Sequence, residues 1–271
     1  MRRFLFALVI AVMVATAMRS QQTSGRLPPQ AKTQAEYSDY KAAETLINSA
    51  AMEKAADDFA AKYAASELRS LLYARAMHLY QQENNAPKIL AMGEKVLALD
   101  PDHPVALVLA ATVLADSLSD KDIDRQEKIN KVRKYAGHVL ATLNTSFLPP
   151  AGVTPEQGQA YKNTLASMAH SALGILDLKT GDDTGAEKEL QTASEQGATQ
   201  QDPYVWYHLA LAQDHQQKYA LALASVNRAL QYTSGNPDLD QLARGERDRL
   251  SKLVTPQSVP PAPTAPPKSQ P

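Results

Sequence analysis

From about Thr33 to Val254 apolar residues recur at intervals of three and four. That spacing lays an apolar stripe along a helix. Pro, Gly and Asn/Asp stops cut the pattern into segments of helical length. Alternating runs and long β-branched runs are nearly absent, so a sheet is not expected. The pattern predicts an all-α chain.

The segments pair, and the pairs repeat with matching internal offsets. In residues 202–237, bulky Trp206 is followed three residues later by Leu209-Ala210. A turn falls at Lys218-Tyr219, small Ala222 opens the second helix, Val226 takes a large position, and Ala229-Leu230 closes the unit before Asn236-Pro237. Residues 159–200 repeat the offsets with His170, Leu173-Gly174, a turn at Gly181-Asp182, then Ala186, Leu190 and Ala193. Residues 70–103 do so with Tyr73, Ala76-Met77 and Tyr80, then Ile89, Gly93 and Val96-Leu97, ending on Leu99-Asp100-Pro101.

The pair in 104–148 has Leu107, Ala110-Ala111 and Leu114 in its first helix, an insertion over 117–125, and a second helix that resumes near Gln126 with Val132, Ala136 and Val139-Leu140. Thr145 to Pro155, with its prolines and Gly152, reads as a break in the series. The first pair, 35–68, is degenerate, with its second helix expected over Ala55–Glu67. Residues 238–254 predict a charged closing helix with Leu239, Leu242, Leu250 and Leu253 on its apolar side.

These offsets resemble the tetratricopeptide repeat (TPR) family, whose period is about 34 residues. The resemblance covers about residues 35–254. It implies a right-handed superhelical array of antiparallel helix pairs, a TPR-like solenoid, closed by 238–254 as a C-terminal capping helix. Small residues let paired helices approach closely, and large ones fill the space between pairs. Residues 55–67 are also similar to units of periplasmic repeat proteins, although Ala64-Ala65 stands where those usually carry Pro.

Flanking segments suggest where the array works. Residues 1–17, MRRFLFALVIAVMVATA, have an Arg pair, an apolar run and a small-x-small Ala15-Thr16-Ala17 ending. This is the pattern of a secretory signal peptide, so the chain is expected to be exported, periplasmic or secreted. An uncleaved inner-membrane anchor is the alternative. Residues 18–34 read as a polar linker, and 255–271, with seven of the 17 prolines, as a disordered or extended tail.

Composition narrows the chemistry. A net charge of −1 without a basic cluster leaves nucleic acid little to hold. Cysteine is absent, which removes disulfides, thiolate metal sites and cysteine nucleophiles. His208 and His215 are seven apart without a third ligand, and Asp57-Asp58 and Asp182-Asp183 read as helix-end carboxylates. Neither a G-x-S-x-G elbow nor a phosphate loop occurs. The expectation is a non-enzyme without metal or cofactor.

What the resemblance implies for function is a concave groove, lined by first-helix residues, that binds a partner peptide or helix. Its positions fall on Tyr204, Tyr207, Leu211, Asp214 and His215; on Met168, Ser171, Ile175, Leu178 and Lys179; and on Leu71, Ala74, His78, Gln81 and Gln82. This lining mixes aromatic, apolar and amide groups and lacks a Lys/Arg clamp. A non-catalytic scaffold for a protein or peptide partner in the cell envelope is therefore expected. The alternative is a membrane-anchored accessory subunit of an envelope enzyme or secretion complex, touching the membrane only through an uncleaved N-terminal segment.

Overall fold

A computed structural model describes residues 28–149, 152–197 and 201–254. The signal-peptide reading of residues 1–17 and the Pro-rich tail lie outside these residues. The described residues form eleven helices and no strand. They fall into two compact units, divided between residues 200 and 201.

The first unit holds α1 (Gln34–Glu44), α2 (Ser49–Lys62), α3 (Leu68–Gln82), α4 (Ala86–Leu99), α5 (Pro104–Ser117), α6 (Arg125–Ser146), α7 (Pro155–Thr180) and α8 (Asp183–Gln196). Neighbours in sequence pack as pairs, α3 with α4, α5 with α6 and α7 with α8. In addition α4 packs on α5, α6 on α7, and α5 on α7. Helix starts are set locally. The side chains of Thr33, Asn48, Asn85 and His103 each accept a backbone N–H from the first turn they precede, satisfying donors that a helix end leaves orphaned.

The organising element is α5, PVALVLAATVLADS, apolar on every side. A helix of that kind belongs in the interior. Ala106 and Leu109 join the cluster of Met52, Phe59, Leu72, Met77 and Val96. Leu107, Val108, Ala111 and Leu114 join the cluster of Val132, Val139, Leu165 and Leu176. One helix thus belongs to both cores of this unit, and the half-buried Val105 and Met168 pack against both.

Gly174 explains how α7 and α8 come so close. A Cβ there would sit 2.5 Å from Leu190 Cγ and 3.3 Å from the Ala186 carbonyl. Leu190, Ala186 and Ala193 are all fully buried. The expected small and large positions of this pair meet face to face.

Three boundaries differ from expectation. The second helix of the first pair is α2, Ser49–Lys62, and it stops before Ala64. Tyr63 leaves helical geometry (φ −122°, ψ 58°), packs on Phe59 and donates its hydroxyl to Asp39 at 2.7 Å. The break expected over 145–155 is short. α6 runs to Ser146, and α7 starts at Pro155 behind a reciprocal Thr154–Gln157 capping box. Pro155 occupies a first-turn position, where proline's missing N–H costs nothing, so it begins a helix. The insertion is a loop over 118–124. It is tied by Ser119 N–H to Asp122 (2.9 Å) and by Lys128 to Asp122 (3.0 Å) and Asp124 (3.2 Å).

The second unit holds α9 (Pro203–His215), α10 (Tyr219–Leu230) and α11 (Pro237–Val254). Ala210, Ala222, Val226, Ala243 and Leu250 form its core. On α11 the buried residues are Leu239, Ala243 and Leu250, while Leu242 and Leu253 are 56% and 47% exposed. The apolar side is therefore narrower than the four leucines suggested, because Ala243 takes the position facing the small α9–α10 pair. Trp206 is half-buried, donating Nε1–H to Gln201 (2.7 Å) beneath the Arg228 guanidinium.

Two glycines provide a contrast that checks this packing. Gly174→Val forces an overfilled contact and should destabilise by about 1–3 kcal/mol. Gly137, in exposed mid-α6 with nothing near a built Cβ, should stabilise by about 0.5–1 kcal/mol on replacement by Ala. Urea unfolding of both variants against the parent measures the opposite signs.

Candidate functional site

The expected groove positions divide between the two units, and each set is described within its own unit. In the first unit His78 and Gln82 lie one turn apart on α3, both exposed. Gln82 Nε2 donates to His78 Nε2 at 3.2 Å, and His78 Nδ1 bonds Gln81 Oε1 at 3.2 Å. Together they make a polar amide–imidazole strip with hydrogen-bonding atoms near solvent. Leu71 and Ala74, half-buried, continue α3 toward its N-terminus.

Lys179 is committed elsewhere. Its ammonium donates to the carbonyls of Asp116 and Leu118, capping the end of α5 and holding the start of the inserted loop. Arg125 Nη2 returns a bond to the Lys179 carbonyl at 2.9 Å. Burial lowers the lysine's pKa below its ordinary value. Ile175 is buried in the core.

In the second unit three expected groove residues engage the segment that closes it. Tyr204 Oη accepts from Asn236 Nδ2 at 2.7 Å. Tyr207 packs against the Ala243–Leu250 core, and burial raises its hydroxyl pKa. Asp214 pairs with Arg249 at 2.5 Å, and Arg249 also holds Glu246 at 2.7 Å. The second oxygen of Asp214 is buried and without a hydrogen-bond partner. Leu211 is half-buried and His215 exposed. Tyr204, Tyr207 and Asp214 thus help seat α11, an outcome unreadable from first-helix spacing alone.

A pocket of about 260 Å³ was not foreseen. It lies at the N-terminal ends of α3 and α5, where Leu71 and Val105 meet Phe147, Leu148 and Tyr161. Phe147 and Tyr161 stack with centroids 5.2 Å apart and planes 23° apart. The wall exists because α7 begins at Pro155, about one turn before the expected start of its unit at 159. The signal available in the sequence was Phe147-Leu148, an apolar pair just past α6, followed by Tyr161 inside a capped helix.

Carboxylates gather where α7 turns into α8. Asp182 caps α8 through the Gly185 N–H at 2.9 Å. Glu189 accepts from His170 at 2.7 Å. Gly185 leaves room for both neighbours, since a Cβ there would lie 2.5 Å from Asp182 Oδ2 and 3.0 Å from Asp177 Oδ2. Burial pushes the Asp177 carboxyl up to about 6; the Asp182 charge adds to the rise, and Arg133 at 4.0 Å opposes it. Among the described residues no group of three or more His, Asp or Glu side chains is arranged to hold a metal ion. No helix among them is long and apolar enough to cross a membrane. No family model matches the chain, and no curated protein matches it.

Asp177 yields a pH prediction. Its folded pKa, about 6, lies above the ordinary 3.8, so the folded state keeps this proton longer than the unfolded one. The contribution to stability is favourable at low pH and is lost as pH rises through the interval between the two values. Asp177→Asn should match the parent near about pH 4 and exceed it by about 1–2 kcal/mol near about pH 7.5, the shift being partly screened by solvent. Urea titrations at the two pH values measure the gap; a gap independent of pH would refute the assignment.

Proposed function

We propose that the chain is a non-catalytic scaffold of the TPR type, exported to the cell envelope, which binds a partner peptide or helix along the face formed by the first helices of its pairs. The observation that carries this reading is the packing of α5 on α7, two first helices not adjacent in sequence. Where two first helices touch one another as well as their own partners, they share a surface. Half-buried Val105 and Met168 lie on that pair of helices, Leu71 of α3 meets Val105 at one pocket, and half-buried Ala74 with exposed His78 and Gln82 continues along α3. Such a mixture suits an extended or helical protein segment. Export rests on the signal-like pattern of residues 1–17.

Site-specific photocrosslinking tests the face directly. A photoreactive residue at His78 or Gln82 should capture one predominant envelope protein. The same group at Ala98 on α4 or Ala141 on α6, both exposed on second helices, should not. Identical captures from all four positions, or none from the first two, would contradict the assignment.

A further inference from the structure

Among the described walls of the 260 Å³ pocket, Asp100 is the one charged side chain. It follows the last residue of α4 and is 9% exposed. The polar walls around it are neutral. His103 Nδ1 accepts the Ala106 N–H at 3.2 Å, so that nitrogen carries a lone pair and no proton. Burial raises the Tyr161 hydroxyl pKa, so the phenol stays uncharged. Ser70 donates to the Glu67 carbonyl at 3.0 Å and Ser146 to the Thr142 carbonyl at 2.9 Å. Helix ends do not tip this balance. The pocket meets the starts of α3 and α5 and the ends of α4 and α6, whose end charges are opposite and offset one another.

The rest of the lining is apolar, with Leu71, Val105 and Leu148 beside the stacked Phe147 and Tyr161. An apolar cavity of roughly 150 Å³ already accepts a benzene-sized guest, so this one has room for a ring with a short arm. A carboxylate in a poorly hydrated hollow attracts an opposite charge more strongly than one in open water. It also offers about four acceptor positions, so Asp100 can take a further donor beside the contact it already makes. Arg69 shares a second hollow with Asp100 and Glu67, and its Nε is committed to the Ser66 carbonyl at 2.8 Å.

We infer that this pocket is a binding site for a small organic monocation, a primary amine carried on a compact aromatic or branched apolar body. The ammonium pairs with the Asp100 carboxylate, and the body lies against Leu71, Val105 and the Phe147–Tyr161 stack. The same carboxylate rejects an anionic guest, and the apolar walls reject one with further polar groups that would be buried without partners. The site stands whether or not the first-helix face binds a protein segment.

NMR titration of the full chain, labelled at Leu and Val methyls and at Tyr rings, tests the site with benzylamine and its uncharged isostere benzyl alcohol. Benzylamine should shift the Val105 methyl and Tyr161 ring signals, show NOEs to both, and bind with a Kd of about 1 mM or below. It should bind at least about tenfold tighter than benzyl alcohol. This comparison is made on the unaltered chain and needs no variant to fold. Asp100→Asn, close to isosteric, should remove the preference for the amine. Equal affinities for the two probes, benzylamine shifts confined to other residues, or no response at about 10 mM would overturn the assignment. So would a folded Asp100→Asn chain that keeps the preference.

Discussion

Close approach between paired helices is the constraint on which the rest depends. At the α7–α8 crossing there is no space for a single added carbon between Gly174 and Leu190. The crossing works because one helix gives up a side chain where the other inserts one. The same exchange of small for large recurs at Ala210, Ala222 and Val226 in the second unit. Cores of this kind are close-packed, so the position of each helix is fixed by its neighbour's residue sizes more than by its own propensity. α5 is the extreme case. It has no polar side to give to water and is held inside the first unit by packing against α4, α6 and α7.

This explains which parts were legible in the sequence. Helix pairing was, because the small and large slots of 159–200 and 202–237 recur at fixed offsets and those offsets are the contacts themselves. The inserted loop was too, to within a residue at each end, since residues 118–124 hold only Leu118 and Ile123 as apolar residues. Helix ends were less so. Pro155 looks like a breaker until Thr154 and Gln157 are seen to cap the helix it begins. Tyr63 ends α2 by reaching across to Asp39, which the local sequence does not announce. The groove positions were the least legible. First-helix spacing selects outward-facing residues, but it does not say which of them the chain uses itself. Tyr204, Tyr207 and Asp214 also contact the closing segment, and Lys179 the end of α5.

On the scaffold reading, the expected first-helix positions of α3 run from half-buried Leu71 to exposed Gln82. At one end the long α6 and α7 and the stacked Phe147–Tyr161 pair enclose a pocket. At the other, His78 and Gln82 supply hydrogen-bonding atoms near solvent. Elsewhere the unit tolerates local cost, as at Asp177, whose half-buried carboxyl beside Asp182 works against folding at neutral pH, while Gly174 and Leu190 keep α7 and α8 in close contact.

If neighbouring pairs bury one another, as stacked repeats do, protection should be graded by position and not uniform. Native-state hydrogen exchange measures this residue by residue. The account predicts that, within the first unit, amides of α5 open only with the largest unfolding free energy, while those of α1, which packs chiefly on α2 and α3, open with a distinctly smaller one. Equal protection of α1 and α5, or an α5 that exchanges before its neighbours, would contradict the claim that this unit is organised as mutually buried helix pairs around α5.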